Sequence, residues 1–163
     1  MLQVLTIPLL CYLALLVEFC LFNLFGRWGD PQLLLLLIIF FNLYSGIRYS
    51  LWAAFWAGIM KDCFSTMPFG TNVFAFMACA YLSTMIRRYS YERGSDLSKL
   101  WMAFALVTVH NVIMGLLHTM IFDEVRWWDV WMGIWFPQIV TTLIVTLWTF
   151  ERLQTVAKRL RFS

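Results

Sequence analysis

The chain has 163 residues, of which 62% are hydrophobic, 18% aromatic and 13% charged, with a net charge of +3. Soluble domains carry roughly 25% charged residues, so this composition excludes an ordinary soluble domain. Because one membrane crossing needs about 20 apolar residues, the length predicts a single all-α domain over residues 1–163, a polytopic membrane protein of about six transmembrane helices. No long polar segment interrupts the apolar runs, so we expect no appended soluble catalytic domain.

The first predicted span covers residues 2–25. It lacks the basic start and the small-residue cleavage site of a secretory signal, which favours a retained helix. A glycine- and proline-containing turn follows, and the second span is predicted at residues 32–47. Its intensely apolar part is short, so we expect this helix either to extend through Ser45 and Gly46 or to cross the membrane incompletely.

The third predicted span, residues 49–66, carries small residues four apart, which let two helix backbones approach closely in lipid. These residues are Ala53, Ala54, Ala57 and Gly58. The pattern predicts a helix inside the bundle. Lys61 and Asp62 interrupt this span, and a segment rich in turn residues leads to the fourth span at residues 72–86.

The second half of the chain contains its most polar connection, residues 87–99. The fifth and sixth spans are predicted at residues 100–122 and 130–150, and a basic amphipathic tail at 151–163 is expected to lie on an anionic membrane surface. Successive connections between the predicted spans lie on opposite sides of the membrane. Nine of the 12 Lys and Arg residues fall in the segments on one side and three in the segments on the other. This asymmetry predicts a multi-pass protein of the cell inner membrane with both termini cytoplasmic.

Sequence motifs of catalysis are absent. The chain has no nucleophile elbow, no phosphate-binding glycine loop and no HExxH motif. Its four cysteines form no CxxC pair and lie in apolar stretches, so we interpret them as small hydrophobic residues. They are Cys11, Cys20, Cys63 and Cys79. We therefore expect no enzyme activity, no metal site and no cofactor.

Charged groups inside the membrane are energetically costly, so each is expected to have an interaction partner or a functional role. Asp62 is predicted to accept hydrogen bonds from Ser65, Thr66 or exposed N–H groups and so to fix a turn near the outer face; a direct binding or coupling role is the alternative. Adjacent side chains on a helix diverge, so Lys61 is expected to reach toward the interface rather than pair with Asp62. For Glu18, a neutral or hydrogen-bonded side chain against another helix is favoured over a transport carboxylate.

The fifth span contains His110 and Asn111, with His118 eight residues further on. Eight residues are two turns plus about 80° of rotation, so the two histidines do not share one helix face. Hydrogen bonding between helices is therefore favoured over a metal site.

The stretch from Pro31 to Arg88 contains the order Gly58-x-x-x-Asp62-x-x-Ser65-x-x-Pro68-x-Gly70 between two apolar helices. This order resembles the signature of the MreD family of rod shape-determining proteins. The resemblance implies that five residues have a motif role, either structural or in partner binding: Gly58, Asp62, Ser65, Pro68 and Gly70. Two positions depart from it: Lys61 replaces an apolar residue, and the turn at residues 45–48 lacks a proline.

The resemblance implies a non-enzymatic component of the rod, or elongation, complex that maintains cell shape by scaffolding or regulating lateral peptidoglycan synthesis. It implies an MreC-like scaffold protein as the direct partner. The shape-determining transpeptidase and transglycosylase and the MreB filaments would be indirect partners, and nucleic acid would not be one. The fold it implies resembles the small substrate-binding subunits of energy-coupling-factor transporters.

The resemblance to transporter subunits suggests an alternative function, in which the chain is the substrate-binding membrane component of a transporter. Polar groups that converge on one outward cavity would favour it, and the sequence offers only Asp62, Asn72, Asp123 and Glu124 as candidates. An apolar internal pocket would instead favour binding of a lipid-linked wall precursor.

Overall fold

A computed structural model describes residues 2–26, 31–90, 96–121 and 135–146, and these residues form six α-helices and no strand. The helices are α1 (Leu2–Phe25), α2 (Leu33–Tyr44), α3 (Ile47–Asp62), α4 (Thr71–Ser90), α5 (Asp96–Ile121) and α6 (Phe136–Thr146). The prediction of an all-α chain is confirmed for these residues. The predicted tail at 151–163 and both ends of the predicted sixth span lie outside them.

Within the described ranges, two helices contain segments that are long and apolar enough to cross a membrane alone, Thr6–Leu24 and Leu100–Ile121. α2 and α6 are apolar but shorter. At 1.5 Å per residue, the 12 residues of α2 reach about 18 Å, less than the roughly 30 Å of a hydrocarbon core. The number of complete crossings therefore stays a prediction.

α2 lies at the centre of the bundle, with α1, α3, α4 and α5 packed around it. Its nine consecutive residues from Leu34 to Asn42 are all buried. A helix that is apolar all round lies either inside a protein core or in lipid, and here the neighbouring helices cover it. The leucine-rich run in the sequence is thus explained by the central position of this helix.

The second helix ends earlier than predicted. The expected extension to residue 47 is wrong, because α2 ends at Tyr44 and Gly46 adopts a φ of 92°. The backbone N–H groups of Ser45 and Gly46 both donate to the Phe41 carbonyl at 2.9 Å, which closes the last turn. The chain then reverses directly into α3.

The small residues of α3 face the bundle interior, as predicted. Ala53, Ala54 and Ala57 are 0% exposed. A Cβ added to Gly58 would lie 2.4 Å from the Cα of Val73 on α4. The absence of a side chain at this position therefore allows α3 and α4 to touch through their backbones.

The boundaries around the following turn also differ from prediction. α3 ends at Asp62 rather than at residue 66, and α4 runs from Thr71 to Ser90 rather than from 72 to 86. The early end of α3 has a physical cause, since the Asp62 side chain is hydrogen-bonded to the start of α4. Residues 63–70 form the turn between them.

The bundle is apolar outside and carries polar groups inside. On α1, Leu9, Leu13 and Val17 are 58%, 49% and 49% exposed, whereas Cys11 and Glu18 are buried. A soluble protein rarely exposes a continuous apolar face of this kind. The arrangement fits a protein whose surroundings are lipid.

The cysteines divide into two pairs. Cys11 and Cys79 are buried, and each thiol lies 3.8 Å from a backbone carbonyl oxygen, which agrees with their interpretation as small hydrophobic residues. Cys20 and Cys63 are exposed, and all four thiols are free.

Candidate functional site

Polar residues gather at one end of the bundle, where α1 ends, α2 begins and α3 turns into α4. Lys61 on α3 contacts Glu18 on α1, and the Glu18 carboxylate also faces the first turn of α2. The site has two neighbouring parts: the turn at residues 63–70, which we call the Asp62 turn, and a polar cavity beside it.

The Asp62 carboxylate binds the beginning of α4. Its Oδ2 accepts hydrogen bonds from the backbone N–H groups of Gly70 at 2.8 Å and Val73 at 3.3 Å. Its Oδ1 accepts from the backbone N–H of Asn72 at 3.0 Å and from the Asn72 side-chain amide at 2.8 Å. The first N–H groups of a helix have no partner within the helix and carry a partial positive charge. Asp62 therefore caps α4 from the end of the preceding helix.

The prediction that Asp62 accepts hydrogen bonds from exposed N–H groups is confirmed, whereas the alternative donors Ser65 and Thr66 are not its partners. Neither Ser65 nor Thr66 gives its side chain to the carboxylate. The Ser65 backbone N–H donates to the Asp62 backbone carbonyl at 3.2 Å. The Ser65 hydroxyl accepts from the Met67 N–H at 3.1 Å, so serine stabilises the middle of the turn.

Pro68 and Gly70 complete the Asp62 turn. Gly70 has a φ of 102°, a conformation that residues with a side chain rarely adopt, and this points its N–H at Asp62. The Pro68 carbonyl accepts from the Thr71 N–H at 3.3 Å and from its hydroxyl at 3.0 Å. The Pro68 side chain itself is exposed.

Lys61 and Glu18 form an ion pair between α3 and α1. The Lys61 Nζ lies 2.6 Å from the Glu18 Oε1, with the two side chains 25% and 6% exposed. The Leu34 N–H, at the positive start of α2, lies 3.5 Å from the other carboxylate oxygen. The expectation that Lys61 reaches toward the interface missed this partner. The expectation that Glu18 is hydrogen-bonded against another helix is confirmed.

A buried hydrogen-bond network joins Gln32, the residue just before α2, to α5 and α6. The Gln32 side-chain Nε2 donates to the Asn111 Oδ1 at 3.0 Å and lies 3.1 Å from the His110 Nδ1. The Gln32 backbone N–H donates to the Thr142 hydroxyl at 3.1 Å. The prediction of hydrogen bonding between helices at His110 and Asn111 is confirmed, and His118 is exposed on the same helix.

A cavity of about 350 Å³ lies beside this network and below the Asp62 turn. Its size falls within the range of small-molecule sites. Its polar wall comprises Glu18, Gln32, Lys61, Ser65, Asn72, His110, Asn111 and Gln138. Among the residues that the structure describes, no group of three His, Cys, Asp or Glu side chains is placed to hold a metal ion.

The family model for the rod shape-determining protein MreD matches residues 1–155. The chain belongs to the MreD family. No curated protein and no solved structure matches the sequence. As a member of the MreD family, the chain is a rod shape-determining membrane protein. Proteins of the MreD family are shape-determining components and are not known as enzymes.

The structure brings the five residues that resemble the MreD signature into a single helix–turn–helix unit. Gly58 sets the distance between the helices, and Asp62 and Gly70 form the cap. Ser65 and Pro68 shape the turn between them. Their combined effect is to hold the Asp62 turn in one conformation.

The cavity of this MreD-family chain includes residues that sequence reasoning missed. Gln32 and Gln138 line it, and Thr142 supports Gln32. The sequence feature that could have identified them is an isolated amide or hydroxyl side chain in an apolar span. Of the candidates named for an outward cavity, Asn72 lines it, whereas Asp62 is engaged with α4. Asp123 and Glu124 lie outside the described residues.

Proposed function

We propose that this MreD-family chain is a non-enzymatic component of the rod, or elongation, complex that scaffolds or regulates lateral peptidoglycan synthesis. One observation carries the proposal: the signature residues build a fixed turn that presents exposed aromatic side chains and no catalytic group. Phe64 and Phe69 in the Asp62 turn are 66% and 70% exposed. Exposed aromatic residues on a rigid support are common anchors of protein interfaces.

The proposal includes a single multi-pass domain of six spans in the cell inner membrane, with both termini cytoplasmic. One contact, at the end of the bundle opposite the Asp62 turn, supports this orientation. The Arg87 guanidinium near the end of α4 donates to the Asn42 carbonyl near the end of α2, and basic residues are favoured on the cytoplasmic side. The Asp62 turn lies at the other end, which would face outward. The helix arrangement is proposed to resemble that of the substrate-binding subunits of energy-coupling-factor transporters.

An MreC-like scaffold protein is the proposed partner of the Asp62 turn. Through it, the chain would act on the shape-determining transpeptidase and transglycosylase. The basic connection at residues 87–99 and the tail at 151–163 would face MreB filaments and anionic lipid on the cytoplasmic side.

Affinity purification of the tagged chain from its own cells tests this proposal. Replacing Pro68 by alanine changes an exposed residue of the turn, so the fold should persist while binding weakens. A loss of ~1 kcal/mol in binding corresponds to about fivefold less MreC-like protein recovered per copy of the chain. Mass spectrometry of the purified complex measures this ratio.

The matched control is Leu13→Ala, which truncates an exposed side chain on α1 and should leave recovery of the MreC-like protein unchanged. An equal loss in both variants, or no recovery with the unaltered chain, would contradict the proposal.

One observation favours the alternative of substrate capture, namely that polar groups do converge on a cavity at the same end as the Asp62 turn. The same purification separates the two functions. Recovery of transporter ATPase subunits in place of the MreC-like scaffold would support a transport component.

A further inference from the structure

Three residues that line the cavity each have one buried polar side-chain atom without a hydrogen-bond partner among the described residues. These atoms are the Gln32 Oε1, the His110 Nε2 and the Asn111 Nδ2. The three residues are 1%, 3% and 4% exposed. Each buried polar group without a partner costs about 1–3 kcal/mol, and folded proteins retain few of them. Three such atoms on residues that line one cavity indicate that a bound molecule completes the network.

The hydrogen bonds already present determine whether each unpaired atom is a donor or an acceptor. An amide nitrogen only donates, so Gln32 Nε2 donates to both the Asn111 Oδ1 and the His110 Nδ1. The His110 ring is then neutral and carries its hydrogen on Nε2. The residues that line the cavity therefore have two unpaired donors, His110 Nε2–H and Asn111 Nδ2–H, and one unpaired acceptor, Gln32 Oε1.

The charges on the cavity wall compensate each other. Lys61 and Glu18 lie 2.6 Å apart and together add no net charge. An anion would meet the Gln32 Oε1 and the Glu18 carboxylate, and a cation would meet the donors of His110 and Asn111. A neutral ligand avoids both conflicts.

The rest of the wall is apolar. Leu15 and Phe22 from α1, Met114 from α5 and Trp135 beside α6 line the cavity. Ligand sites commonly combine such an apolar wall with a few polar groups that fix orientation. The ligand should therefore carry an apolar or aromatic body next to its polar group.

We propose that this cavity binds a small neutral molecule that carries an amide group on an apolar body. The amide carbonyl accepts from the His110 Nε2–H and the Asn111 Nδ2–H, and the amide N–H donates to the Gln32 Oε1. Such a ligand would satisfy all three free atoms at once. This inference is independent of the partner proposed for the Asp62 turn, since occupancy of the cavity requires no other protein.

Fluorine NMR titration of the full chain in lipid nanodiscs tests this site with four probes that share a 4-fluorophenyl ring: 4-fluorobenzamide, 4-fluorobenzoate, 4-fluorobenzylamine and 4-fluorotoluene. The benzamide should show saturable binding at least about tenfold tighter than the other three, because each of them leaves buried polar atoms unpaired. Nanodiscs without protein measure partitioning into the lipid.

Two variants locate the binding. Asn111→Leu and His110→Phe should each weaken benzamide binding about tenfold, whereas Asn23→Leu, on an exposed position of α1, should leave it unchanged. The comparison of probes on the unaltered chain stands even if a variant fails to fold. Equal binding of all four probes, or benzamide binding that both cavity variants retain in full, would overturn the proposal and indicate a water-filled cavity.

Discussion

Replacement of Asp62 by alanine is expected to destabilise the protein by about 3 kcal/mol or more. The substitution leaves the N–H groups of Gly70, Asn72 and Val73 without their acceptor and removes a negative charge from the positive end of α4. For a chain of this length, the midpoint of thermal unfolding should fall by roughly 6–12 °C. Heat-induced aggregation of the protein in detergent measures this midpoint.

Two further variants make that result specific to the carboxylate. Cys63→Ala alters the adjacent exposed residue and should change the midpoint little. Asp62→Asn keeps one acceptor oxygen but turns an amide N–H toward the backbone donors, so its midpoint should fall between those of the wild type and Asp62→Ala. If Asp62→Ala unfolds at the same temperature as Cys63→Ala, the carboxylate does not cap α4.

The second large effect is expected for Gly58→Ala, at about 3 kcal/mol. The new Cβ would lie 2.4 Å from the Cα and 2.8 Å from the backbone N of Val73. Backbone atoms cannot move aside as a side chain can, so α3 and α4 must separate. Val73→Ala should not rescue the variant, because it removes only the side-chain part of the clash. Thermal unfolding of the single and double variants measures both effects.

A matched glycine substitution provides the control. Gly26 has a φ of 62°, and a Cβ added there meets nothing within 4 Å. Gly26→Ala should therefore cost about 1 kcal/mol, the strain of the left-handed conformation alone. A smaller loss for Gly58→Ala than for Gly26→Ala, or full rescue by Val73→Ala, would show that close backbone packing is not the reason for glycine at position 58.

The sequence predicted the features that local spacing encodes. The small residues of α3 recur on one helix face, so the burial of that face could be inferred before the structure. A lone carboxylate followed by turn residues indicated hydrogen bonding at Asp62, because a charge in an apolar span must find donors. Ser65 and Thr66 remained alternative donors because they are nearer to Asp62 in sequence than the N–H groups at the start of α4, which are the donors in the structure.

The features that depend on contacts between distant segments could not be predicted. Glu18 and Lys61 are 43 residues apart, and Gln32 and His110 are 78 residues apart. No periodic pattern relates such positions, and only the packing of α1, α2, α3 and α5 brings them together. The early end of α2 depends on the positive φ of Gly46, which a continuous apolar run does not reveal.

Photocrosslinking at the Asp62 turn tests most directly whether the chain acts by binding a partner there. The photoreactive residue p-benzoylphenylalanine would replace Phe69, which is 70% exposed, or, as a control, Leu13 on the lipid-facing side of α1. After irradiation of whole cells, we expect a covalent adduct with the MreC-like scaffold protein from position 69 and none from position 13. An adduct with a transporter ATPase subunit from position 69, or no protein adduct there, would contradict the scaffold function.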